Sequence, residues 1–374
     1  MPPTRAEVYK LLKKHLSQEK YAKIKRVKKL LGSGSIKYVV LVEYKDGNKD
    51  AVSIRRPFLD EKIEDVLDIV ERWSQELKKD SELKAQYDFD YYLNALREQL
   101  ALEVQFPKER EKSIEMAKLY EKIPSHADWK FVPVFPTQEI SDSDQVLNFM
   151  AVEEAVPFSK LSKEDKKSAG ELIVQTELSL MLEHGQFDAD RHLGNYLFDP
   201  KTKSVYPIDM GQVYMLTPNN EHKPGDPYFI AKIIYGIMNP DFRQGAKDLA
   251  DVFLKISDLS EQDQEAIKDK LLRAIEEVLQ KNLSLESKPL YVLGELNRLR
   301  VHIPLRFSMG IIKGLMIVLN EEYAKAIDPS FIYGKIAPFV GRQLERQSQY
   351  EERKREDGAA LPGQSPICEN LLIR

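Results

Sequence analysis

Apolar positions along the chain change period several times, and each change marks an element. Between residues 5 and 31, Val8, Leu11, Leu12, Leu16, Tyr21, Ile24, Val27, Leu30 and Leu31 recur at mostly helical spacing, which predicts one long or two shorter helices. Val39 to Tyr44 and Ala51 to Arg55 are β-rich runs flanking an Asp46-Gly47 turn, so a hairpin is expected. Helical periodicity returns over 60–122, with a break at Pro107. Phe131 to Phe135 and Val146 to Glu154 read as strands, and Pro157 opens a linker. Ser162 has a capping pattern for a helix whose Leu172, Ile173, Thr176, Leu180 and Glu183 recur until Gly185. Tyr196–Phe198 and Val205–Ile208 then bracket the polar turn 199–204. Helices follow over 229–238, 246–256, 262–283 (capped by Ser260), 290–300 and 307–326.

Strands early and helices late predict an α+β chain with two lobes. The expected division is a helical segment 1–30, a β-rich N-lobe with extra helices over 31–158, a mainly helical C-lobe over 159–346 and a polar tail 347–374. A length of 374 residues suits two cores better than one. Net charge of −4 gives no reason to expect nucleic acid as a partner. The single Cys368 fits a reducing compartment, and with no apolar leader a cytoplasmic location is expected. The most apolar run, Phe307 to Leu319, contains Lys313 and falls short of the ~20 residues a spanning helix needs, so no transmembrane segment is expected.

Candidate chemistry concentrates in 184–213. Asp190, Asn195 and Asp209-Met210-Gly211 occur in that order around the predicted hairpin. Asn195 starts its first strand and Asp209 ends its second, so both side chains can face one cleft. An amide and a carboxylate suit Mg²⁺, which takes oxygen ligands and keeps phosphates in its shell. Asp190 is then free to orient or deprotonate an attacking hydroxyl, the order of parts in a kinase catalytic loop. Asp199, ahead of Pro200, reads as a turn residue. Before the first hairpin, Gly32-Ser33-Gly34-Ser35 allows backbone N–H groups to approach phosphates.

A-V-S-I-R-R-P (51–57) resembles the V-A-V-K-V-Q-R-P strand of the UbiB/AarF-type atypical kinases. F-D-A-D-R-H-L-G-N (187–195) resembles their F-H-A-D-P-H-P-G-N, I-D-M-G (208–211) their D-F-G, and the stretch 303–331 a C-terminal segment of theirs. The resemblance spans roughly 30–335 and implies a bilobal protein-kinase-like fold with ATP and Mg²⁺ as cofactors. It also implies that Asn195 and Asp209 hold the metal, that Val146 to Glu154, with Glu153, leads to an adenine-binding hinge, and that Glu103 meets the nucleotide-binding lysine. Three features depart from it. Ser53 stands where the strand lysine belongs, no K-x-G-Q motif is present, and G-S-G-S replaces an alanine-rich loop.

Lys37, at the third glycine position of G-x-G-x-x-G, is similar to the loop lysine of the with-no-lysine kinases. The alternative is a solvated strand-edge lysine. D-R-H-L-G-N also looks like the D-R-H-x-x-N of phosphoinositide lipid kinases, in which the residue matching His192 helps catalysis; the alternative is a histidine that stabilises its loop. The expected activity is therefore an ATP-dependent phosphotransferase or ATPase. Its acceptor is a small molecule, a lipid headgroup, a protein or water. Ser53 motivates a second reading, a pseudokinase scaffold that binds nucleotide or partners. No H-x-x-x-H spacing supports a metal hydrolase.

Overall fold

The computed structural model describes residues 3–81, 83, 89–103, 105–137, 145–188, 191–210, 212–217, 225–283, 287–304 and 307–308, with scattered positions from 338 to 355. The chain opens on α1 (Arg5–His15), held at its start by a reciprocal cap: Glu7 N–H donates to Thr4 Oγ1, and Thr4 N–H donates to the Glu7 carboxylate. A short α2 (Gln18–Lys23) leads into β1 (Ile24–Ser33), β2 (Lys37–Tyr44) and β3 (Lys49–Arg55). Then come α3 (Leu59–Leu77), α4 (Phe89–Glu103) and α5 (Phe106–Tyr120). Strands β4 (Lys130–Phe131) and β5 (Val146–Met150) follow.

The order β1-β2-β3-β5 makes one antiparallel sheet. Its first core joins Val8, Leu12 and Leu16 of the N-terminal helix region to Val27, Val40, Val42, Val52, Ile54 and Val146. Asp50, buried in β3, accepts from Tyr44 Oη at 3.0 Å and Asn148 Nδ2 at 2.6 Å, and so ties β2, β3 and β5 together from within.

The helical reading of residues 24–31 is corrected, because β1 begins at Ile24 and crosses the expected boundary at residue 31. The register against β2 slips between Ile24 and Arg26, between Val27 and Lys29, and between Leu30 and Gly32. Each slip adds one residue to a strand that otherwise alternates every two. Apolar positions 24, 27 and 30 therefore recur every three and imitate a helix. The expected strand 131–135 shortens to β4, which pairs in parallel with the later hairpin instead of joining the first sheet.

The second core is built on α6 (Lys163–Leu182), capped by Ser162 Oγ, which accepts from Asp165 N–H at 3.1 Å. After it come β6 (Gln186–Asp188), the hairpin of β7 (Tyr196–Asp199) and β8 (Ser204–Pro207), and β9 (Val213–Met215). Helices α7 (Asp226–Met238), α8 (Phe242–Ile256), α9 (Glu261–Gln280) and α10 (Lys288–Arg298) complete the described lobe. Asp199 accepts from Lys201 N–H and Thr202 Oγ1, the turn role its D-P context implies. The expected helix 307–326 and the tail fall almost wholly outside the described residues. Among the described residues, no helix is long and apolar enough to cross a membrane.

α7 and α8 pack backbone to backbone. A Cβ on Gly245 would sit 2.5 Å from the Gly236 carbonyl oxygen, whereas one on Gly294 of α10 meets nothing within 4 Å among the described residues. Gly245→Ala should therefore lose about 1–3 kcal/mol in urea denaturation through overpacking. Gly294→Ala should gain up to about 1 kcal/mol from helix propensity alone. Equal effects of the two changes would contradict the close α7–α8 contact.

Candidate active site

Three elements bring charged groups to one point. Lys37 is the first residue of β2 and lies opposite Arg55, while Val39 lies opposite Ser53. Alternation along the strands therefore puts Lys37 and Ser53 on the same face of the sheet. Lys37 Nζ donates to Glu109 Oε1 at 2.7 Å and to Asp209 Oδ1 at 2.9 Å. It also lies 5.8 Å from the centre of the Phe106 ring. Burial opposes the Lys37 cation, but Glu109 and then Asp209 outweigh that cost and hold its pKa above the ordinary lysine value.

Glu109 reaches the lysine because α5 starts immediately before it. Pro107 sits in the first turn, where its missing N–H costs nothing. The inward stripe of α5 is Phe106, Glu109, Ser113, Met116, Ala117 and Tyr120, all buried. The partner expected from the sequence was Glu103; its side chain lies outside the described residues, and the glutamate that meets Lys37 is Glu109. A carboxylate on a mostly apolar helix stripe is the signal that could have found it.

Asp209 follows β8 with φ of +57°. Asp tolerates this left-handed conformation better than most residues, and such strain gathers at functional sites. Ile208 N–H donates to the Asn195 carbonyl at 2.9 Å, which sets the end of the hairpin beside the loop that carries Asn195. That loop is a single 3₁₀ turn, Leu193–Asn195, with Asn195 buried. His192 Nδ1 accepts from Gly194 N–H at 3.0 Å. The imidazole lies so close that a Cβ on Gly194 would meet its Cε1 at 2.7 Å. Asp190 and Gly211 lie outside the described residues.

Of the glycine pattern, Gly32 and Ser33 belong to β1, and the turn itself is Gly34 to Ile36. Gly34 N–H donates to the Lys37 carbonyl, and Arg56 Nε donates to the Gly34 carbonyl at 2.7 Å. Arg56 Nη2 also reaches Ser33 Oγ at 3.1 Å. Ser53 is buried in β3 between Val39 and Leu147. The Glu153 carboxylate pairs with Lys28 and Lys49, pinning the chain after β5 to β1 and β3.

A group of residues that the sequence did not single out lies beneath the loop. Arg191, Asp188 and Glu177 have fully buried side chains, with Arg191 Nη2 2.8 Å from Asp188 Oδ2. Tyr120 and Tyr196 both donate their hydroxyls to Glu177 Oε1 at 2.5 Å.

The Lys37–Glu109 pair has a measurable consequence. Lys37→Met leaves Glu109 buried without its cation, at an expected cost of about 3 kcal/mol in urea denaturation. Adding Glu109→Leu should restore most of that loss. A double variant no more stable than Lys37→Met alone would contradict the pairing.

No curated protein matches the chain. A solved structure of Rv3197 with erythromycin from Mycobacterium tuberculosis is 18% identical, covers 84% of this chain and 80% of its own, and superposes with a TM-score of 0.52. The Rio2 kinase–ADP/Mg²⁺–phosphoaspartate complex from Chaetomium thermophilum is 12% identical over 87% of this chain and 73% of its own. Its TM-score of 0.30 is too low to bear on the fold. The model of the ABC1 atypical kinase-like domain matches residues 2–249, about two thirds of the sequence. With its antiparallel N-lobe sheet and helical C-lobe, the chain belongs to the ABC1 atypical kinase-like family.

Proposed function

We propose that the protein binds Mg-ATP between the four-stranded sheet and the β7–β8 hairpin and transfers or hydrolyses its terminal phosphate. The observation that carries this reading is the ion pair from Lys37 on β2 to Asp209 at the hairpin's end. It sets a cation from one lobe against a carboxylate from the other, where a nucleotide's phosphates and their metal would meet.

The donors fit a hard cation. Asp209 and Asn195 offer oxygen, and no cluster of three or more His, Cys, Asp or Glu occurs among the described residues. Oxygen donors suit Mg²⁺, which fills the rest of its shell with phosphate oxygens and water. When bound, the metal would neutralise charge developing on the phosphates. Lys37, released from Asp209, would donate to the phosphate oxygens while Glu109 keeps its ammonium aimed. The Gly34–Ile36 turn, braced by Arg56, would cover the phosphates from above. Asp190 is assigned to orient the acceptor hydroxyl or take its proton.

His192 uses Nδ1 to accept from Gly194, which supports loop bracing over catalysis and weakens the lipid-kinase comparison. Ser53 in the strand is the reason to consider a scaffold without turnover. Lys37 on the same face of the sheet supplies the missing ammonium and favours the enzyme.

Nucleotide at 100 times its Kd should stabilise the protein by about 2.7 kcal/mol in a thermal-shift assay. The Mg²⁺-dependent part of that shift should vanish in Asp209→Asn, and turnover should fall by about a hundredfold or more. An Asp209→Asn protein that keeps the wild-type Mg²⁺ response would contradict the assignment. A metal-dependent shift without any phosphate release would favour the scaffold.

A further inference from the structure

We propose that Arg191 is the positioning residue that holds Asn195 and Asp209 at a fixed separation, so that both can serve one metal ion. This rests on the Mg-ATP reading above and assigns a role that reading does not require.

Arg191 Nη1 donates to two backbone carbonyls, that of Asn195 at 3.1 Å and that of Ile208 at 2.7 Å. One carbonyl belongs to the first proposed ligand, and the other immediately precedes the second. The same Asn195 oxygen also accepts from Ile208 N–H. A single nitrogen thus clamps the catalytic loop to the end of the hairpin. The guanidinium is itself held from three sides. Asp188 of β6 pairs with Nη2 at 2.8 Å, Glu177 of α6 lies 4.0 Å from Nε, and the Tyr196 ring of β7 stacks 5.2 Å from Cζ. The side chain is fully buried, so the guanidinium meets these groups away from bulk solvent.

The arrangement is matched to the proposed chemistry. Mg²⁺ tolerates little departure from octahedral geometry at short ligand distances. A shift of about 1 Å between ligand-bearing segments costs catalysis far more than it costs folding. Asp188 and Arg191 stand where the motif F-H-A-D-P-H-P-G-N has His and Pro, so both members of the buried pair differ from it together. A planar fork is needed because it can reach two carbonyls and a carboxylate at once. The single ammonium of lysine cannot span all three.

The test is a thermal-shift titration of Mg²⁺ at fixed ATP, together with ATP binding in EDTA, on wild type, Arg191→Lys and Asp188→Asn. Folding of each variant is checked by urea denaturation. Arg191→Lys should raise the Mg²⁺ concentration for half-effect at least tenfold while metal-free ATP affinity stays within about twofold. Asp188→Asn keeps the Arg191 donors but loosens their anchor, so it should shift the same way by a smaller factor. Should Arg191→Lys fail to fold, Asp188→Asn carries the test alone. A folded variant with an unchanged Mg²⁺ midpoint overturns the proposal, as does equal loss of metal-free and metal-dependent binding. If wild type shows no Mg²⁺ response, the Mg-ATP reading falls and takes this inference with it. If wild type responds and the variants match it, only the role of Arg191 is lost.

Discussion

The contact on which the site depends is one ammonium between two carboxylates. Lys37 comes from the start of β2, Glu109 from the first turn of α5 and Asp209 from the end of the β7–β8 hairpin. Glu109 is buried and would be costly alone, because a buried charge without a partner costs several kcal/mol, whereas Asp209 keeps part of its carboxylate in solvent. Together they oblige the sheet, the helix and the hairpin to meet. α5 completes the link, since its first turn touches Lys37 while Met116 and Tyr120 lie in the second core.

Below that contact, a second buried charge system does a different job. Arg191, beside Asp188 and Glu177, meets the loop and the hairpin through the carbonyls of Asn195 and Ile208, and Tyr120 and Tyr196 both donate to Glu177 Oε1. Burial works against the Arg191 cation, yet Asp188 and the neighbouring groups keep its pKa well above the usual arginine value. The upper contact is partly exposed at Asp209, whereas the lower one is closed to solvent. Tyr120 joins the two levels, because it closes the helix that Glu109 opens.

Much of this was legible in the sequence. The β2–β3 hairpin, the Ser162 cap and the β7–β8 hairpin followed from local pattern and turn chemistry, and those rules act over a few residues. The order of Asp190, Asn195 and Asp209 was read from the stretch 184–213 itself, and the structure describes Asn195 and Asp209 at the loop and the hairpin's end. Where the reading failed, a longer-range cause was at work. Bulges in β1 converted a strand into a three-residue repeat. Glu103 was expected by matching the family's helix glutamate, and that match does not show which face of the helix restarting at Phe106 meets Lys37. Arg191 was passed over since a lone arginine in a loop looks solvated until the elements that bury it are in place.

The central claim is that the position of the ammonium matters more than the strand that supplies it. Ser53 lies on the same face as Lys37, diagonal to it across the β2–β3 ladder, and about 7–8 Å away by strand geometry. Calorimetric titration of Mg-ATP into Lys37→Met and into Lys37→Met/Ser53→Lys tests this directly. The account predicts at least a tenfold loss of affinity in the first and recovery of most of it in the second. Wild-type affinity in Lys37→Met, or no recovery in the double variant, would contradict it.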